Sequence, residues 1–251
     1  MRIPKGTTMH FFSEATPRDG VIEHQFMLGD IPGVLWRPTH PSAPVPLILL
    51  GHPGGLQRMY PRLAARARQA VSNGFAAATI ELPGSGDRPT LTIAEQARAD
   101  LRRTLQTGEP VNDDIVDRLI LPIVEAAVPE WQRTLDALLS LPDIAARVAY
   151  SGGIISIGVR LALVEPRIVA AGLFAGSYIP RVILEDARRV TIPLHVLLQW
   201  DDEGNDRQMA LDLFDAFGSK DKSLTANMGG HAGVPPHAEQ AAGAFFVRHL
   251  T

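Results

Sequence analysis

The chain of 251 residues contains no cysteine, which excludes disulfides and every zinc site built on thiolates. No apolar run is long enough to cross a bilayer. The opening "MRIPKGTTMHFFSEATPRDG" holds no apolar core of the kind a secretory signal needs. A cytoplasmic protein without a membrane partner is therefore expected. Excess charge is also scarce: 24 Lys and Arg against 27 Asp and Glu leave a formal net charge of −3. That balance offers nucleic acid no electrostatic footprint. No histidine pair falls at ligand spacing on one predicted helix, so no metal is expected. "PGSGDR" lacks the lysine of a phosphate loop and the glycine spacing of a dinucleotide turn, so no nucleotide cofactor is expected. Repeats and low-complexity tracts are missing as well.

What is present is material for one core. Hydrophobic residues make up 45% of the chain, ample for a single domain spanning residues 1–251. "VIEHQFMLGDIPGVLWRPTH" reads as two strands turning at Gly29-Asp30. After it, strands and helices alternate. "PLILLGH", "AAATIELPG", "ARVAY", "RIVAAGLFAG", "IPLHVLLQW" and "KSLTANMGG" read as strands, the first being apolar enough to be buried on both faces. "MYPRLAARARQAVSNGF" is a helix that Asn73-Gly74 stops. The segment after "AAATIELPG" is helical and longer than one crossover requires. It reads as an inserted helical cap at about 93–128, followed by a crossover helix from Glu130 to Leu141. This alternation predicts an α/β fold with a mostly parallel sheet and helices on both faces. Chemistry in such sheets collects at the carboxyl ends of the strands.

Two serines compete in "RVAYSGGIISIG". A nucleophile on a strand-to-helix elbow needs small residues two positions to either side, a free N–H on the next residue, and a full helix after it. Ser151 meets these needs through Ala149, Gly153 and Gly152. Ser156 has the bulky Ile154 upstream and reads better as a helix residue bonded back to a carbonyl. A register centred on Ile154, between Gly152 and Ser156, leaves the elbow without a nucleophile. Ser151 can also be read as a simple helix N-cap.

A serine hydroxyl needs a base, and the base an orienting acid. "QWDDE" places Asp202 past a late strand, with Asp201 as the alternative; both can equally be solvated loop acids. "GGHAG" places His231 in a glycine-rich loop before the last helix. The loop "GHPGG" can aim the Gly54 N–H at an oxyanion, together with that of Gly152; Pro53 has no N–H to give, and His52 reads as a brace.

The order Ser, Asp, His with these loops resembles the α/β-hydrolase superfamily, in particular dienelactone-hydrolase-like and related bacterial esterases, from about Val21 to the end. The resemblance implies an acyl-enzyme mechanism through Ser151, His231 and Asp202, without a cofactor. It also places Asp87 and Arg88 of "ELPGSGDRP" near the mouth of the cleft. Leu56, Met59, Leu119, Ile120 and Ile123 are candidate pocket lining or ordinary core. The expected activity is hydrolysis of a small-molecule acyl substrate: an ester, lactone or thioester. Two other readings stand beside it: a lyase, cyclase or dehydratase using His231 and Asp202 as acid and base, and a binding module without chemistry. The sequence carries no readable oligomeric state, monomer or homodimer.

Overall fold

The computed structural model describes residues 8–12 and 17–251, so most of the opening segment read above for a signal lies outside them. Among these described residues nine strands form one sheet: β1 (Met9–Phe11), β2 (Val21–Leu28), β3 (Ile31–Pro38), β4 (Val45–Gly51), β5 (Ala76–Ile80), β6 (Ile144–Gly152), β7 (Ile168–Phe174), β8 (Leu194–Gln199) and β9 (Lys222–Asn227). They lie in the order β1-β2-β3-β5-β4-β6-β7-β8-β9. The hairpin forms at Gly29, whose φ of 63° a non-glycine residue would resist, and pairs Leu28 with Ile31. From β5 onward through β4, β6, β7, β8 and β9 every pairing is parallel.

Alternation along the buried strands splits the core in two. Ile48, Leu50 and Ala149 face α1 (Leu56–Ser72) and α7 (Pro236–Leu250). Leu47, Leu49 and Tyr150 face the opposite layer. That layer holds α2 (Thr92–Thr107), α3 (Asp113–Leu138), α4 (Ile155–Val164), α5 (Arg181–Ala187) and α6 (Arg207–Ala216). No helix among the described residues is long and apolar enough to cross a membrane.

Two of the differences from the sequence reading bear on the site and its surroundings. The division between a cap ending near 128 and a crossover helix starting at Glu130 is absent, because α3 runs unbroken through Pro122 and Pro129. Each proline removes one helical hydrogen bond, but the buried stripe from Ile115 through Trp131 to Leu138 continues across both and outweighs that loss. Trp131 meets Tyr150 edge to face with ring centres 6.0 Å apart, tying α3 to β6. The second difference is β6, which extends through Gly152 rather than stopping at Tyr150.

Candidate functional site

The expected acid and base, Asp202 and His231, follow the ends of β8 and β9, which are lashed together. Trp200 N donates to Asn227 O at 2.7 Å, and Gln199 Nε2 to Gly230 O at 3.0 Å. Asp201 spends its carboxylate on the Gly229 N–H at 3.1 Å, so it positions the His231 loop instead of touching the imidazole. Asp202 turns inward and accepts from His231 Nδ1 at 2.7 Å, Gly204 N at 3.0 Å and Asn205 Nδ2 at 2.6 Å. Burial pushes the Asp202 carboxyl up, but the hydrogen bonds from His231, Gly204 and Asn205 outweigh it and hold the group below its ordinary range. An ionised Asp202 fixes the proton of His231 on Nδ1 and turns Nε2 away from it. Phe174 packs edge-on against the His231 ring at 5.2 Å.

The elbow is where the sequence reading changes most. Because β6 continues to Gly152, Ser151 lies inside the strand and is not the N-cap of a helix. Its Oγ accepts from Arg66 Nη2 at 3.0 Å and makes no hydrogen bond to His231. Alternation places it, like Ala149, on the α1 and α7 side. The turn itself is Gly153-Ile154. Gly153 has φ 73°, and a Cβ there would lie 2.8 Å from Gly51 Cα and from His52 N, so no side chain fits. Ile154 is the residue before α4 and offers no side-chain cap. Ser156 is fully buried in the first turn of α4. Its Oγ has no partner, so the expected bond back to a carbonyl does not form.

The loop after β4 is braced as expected but not free. His52 Nε2 donates to Ile80 O at 2.8 Å, and its Nδ1 accepts from Gly54 N at 3.1 Å. Both bonds are satisfied by one neutral tautomer, and burial lowers the tendency of the ring to take a second proton. The Gly54 N–H expected to face an oxyanion is thus engaged by His52. The N–H of Gly152 belongs to a strand residue paired with Gly51.

Two hollows meet at this point. A cavity of about 200 Å³ runs between the sheet and the α1–α7 layer, past Ser151 and Arg66. A cleft of about 880 Å³ opens toward α3, past Leu119, Ile120 and Ile123. Pro53, Ile154, Gly176, Ser177 and His231 line both. His231 and Ile154 therefore stand on the wall between them.

No protein-family model and no curated protein matches the chain. Solved structures do. A cold-adapted esterase from an Arctic intertidal metagenomic library superposes with a TM-score of 0.76 at 25% identity, over 96% of this chain and 100% of that one. The chain is an α/β-hydrolase. An acetyl xylan esterase from a Paenibacillus species superposes at 0.69 and 16% identity, over 98% and 90% of the two chains. A dienelactone hydrolase from Anabaena variabilis superposes at 0.60 and 19% identity, over 97% and 100%.

Other expected pocket residues of this α/β-hydrolase are distributed unevenly. Met59 lines the cavity, whereas Leu56 and Asp87 line neither hollow. Leu56 packs against the α1-side core and its N–H is held by Glu81 at 2.9 Å. Asp87 is exposed. Arg88 does not face the cleft mouth. It forms a two-pronged pair with Glu130, both bonds 2.6 Å, and reaches Glu81 O at 3.1 Å, clamping its loop to α3. A guanidinium so nearly buried is drawn to the nearest carboxylate rather than to a cleft filled with water.

Sequence reasoning missed Arg66, Ser177 and Glu81. Ser177 follows β7 and its buried Oγ has no partner, although it lines both hollows. Glu81 is buried and holds the N–H groups of Leu56 and Leu82. A glutamate ending an otherwise apolar strand, in "ATIELPG", is the one signal that could have flagged it. No group of three or more His, Asp or Glu among the described residues is placed to hold a metal.

Proposed function

We propose that this α/β-hydrolase cleaves a carboxylic ester, lactone or thioester, with His231 as general base under the control of Asp202 and water as the nucleophile. The observation that carries this reading is the 2.7 Å His231–Asp202 bond at the junction of the cavity and the cleft. Solved structures described as esterases and as a dienelactone hydrolase support the reaction class. His231 Nε2 takes a proton from water as the oxygen attacks the acyl carbonyl, Asp202 stabilises the imidazolium, and the same proton then passes to the leaving oxygen or sulfur. In this reading the free Ile155 and Ser156 N–H groups at the uncapped start of α4 stabilise the negative charge that develops. Ile154, standing where the elbow would carry a hydroxyl, is the reason for choosing water.

A covalent route through Ser151 is the second reading. It is favoured by the Arg66 guanidinium 3.0 Å from Oγ, whose charge would stabilise an alkoxide. It requires Ser151 to leave Arg66 for His231. Fluorophosphonate treatment followed by peptide mass spectrometry separates the two. Activity toward aryl esters with no label on Ser151 is expected. A label on Ser151, with turnover lost in Ser151→Ala, transfers the mechanism to the acyl-enzyme. Ester turnover undiminished in His231→Ala overturns both.

A further inference from the structure

Arg66 makes no contact ion pair among the described residues and feels Glu239 only at longer range. It reaches from α1 to the ends of β4 and β6, donating to Gly51 O at 3.1 Å, Ser151 O at 2.7 Å and Ser151 Oγ at 3.0 Å. All three acceptors are neutral, and no carboxylate forms an ion pair with it among the described residues. A guanidinium has five N–H groups, so Nε and part of Nη1 remain without a protein acceptor. The wall of the cavity carries a second guanidinium, Arg62, one helical turn earlier, and a single carboxylate, Glu239, which pairs with neither. His52, His195 and His231 complete the ionisable lining. Burial, with Arg62 beside it, draws the Arg66 guanidinium down to about 10, so it is still charged at neutral pH. Most of the remaining wall is apolar, with Ile48, Leu50, Phe75 and Phe246, while Gln69, Asn73 and Ser177 add neutral polar groups. A largely apolar hollow whose wall carries two guanidiniums against one carboxylate has the chemistry of an anion site: leaving the buried Arg66 without an ion-pair partner costs free energy that a carboxylate would recover.

We propose that this cavity binds the carboxylate of a small organic acid, with Arg66 as its counter-charge and the apolar walls around its body. Resting on the reading of His231 above, the substrate class is then an ester or lactone that carries a free carboxylate. The carboxylate seats at Arg66 while the acyl carbon stays at the junction beside His231.

The test measures binding, so it does not depend on turnover. The intact chain is titrated calorimetrically with butyrate and benzoate, and with their neutral isosteres butyramide and benzamide. The acids are expected to bind at least tenfold more tightly than the amides, and Arg66→Gln to remove that preference. Asp202→Asn is expected to keep the preference while losing activity, which separates this site from the His231 chemistry. Arg66 also supports two strand ends, so a measurement on the unaltered chain stands beside the variant. Benzoate is expected to shield Arg66 from phenylglyoxal, read by peptide mass spectrometry. Acids binding no better than amides, or Arg66 modified equally with and without benzoate, overturns the proposal.

Discussion

His231 Nδ1 and Asp202 Oδ2 stand 2.7 Å apart, while the Ser151 hydroxyl is turned toward Arg66. The proposed base is held by its carboxylate and the expected nucleophile is bonded elsewhere. On this arrangement His231→Ala is expected to lower kcat/KM for aryl esters by about 10²–10⁴-fold, the range a positioned general base supplies. Steady-state kinetics on the folded variant checks it; a loss under threefold would remove His231 from the chemistry.

Ile154 occupies the turn that would carry a hydroxyl and lines both hollows beside His231. Ile154→Ser is expected to acquire a fluorophosphonate label at position 154 that the unaltered chain lacks. Absence of the label would mean that the elbow points away from the imidazole.

Asp202 supplies a pH dependence with a definite sign. Its carboxyl is held below the ordinary value near 3.9. Its contribution is therefore complete above that value and fades as acid protonates the folded state. The stability gap between the unaltered chain and Asp202→Asn should be full at pH 7 and shrink below about pH 4. Urea midpoints for both chains across that range report it, and a gap independent of pH would contradict the assignment.

Arg88 and Glu130 form a pair with side chains 9% and 10% exposed. Removing one partner strands the other charge, and Glu130→Gln is expected to cost about 3 kcal/mol. Replacing both with apolar residues of similar size should cost far less. Ester turnover should survive in the double variant, since neither residue lines the cleft or the cavity. A double-variant cycle of denaturant midpoints, run with an activity assay, measures both.

Gly153 bears a backbone constraint that no side chain can share. Gly153→Ala meets a left-handed φ of 73° and a 2.8 Å clash with Gly51 and His52, and is expected to cost about 3 kcal/mol. A shift of the thermal midpoint within experimental error would show that the elbow rearranges freely.

Much of the fold was legible along the chain, because burial leaves a local periodic signature. Apolar runs such as "PLILL" and the alternation of strand and helix segments gave the parallel sheet, and the glycines around His231 together with the acids after "QW" gave the loops of the dyad. Tertiary structure decided the rest. Which of two adjacent acids reaches the histidine depends on how β8 and β9 are lashed; Asp202 turns in and Asp201 holds the backbone. Whether Arg88 faces a cleft depends on Glu130, distant in sequence and brought near by α3. Where β6 ends depends on its pairing with β4, which extends to Gly51–Gly152 and carries Ser151 into the sheet. Local pattern determines which residues can be buried or can turn. Which side chains meet is set by contacts between segments far apart in the chain, and only the packed fold brings those together.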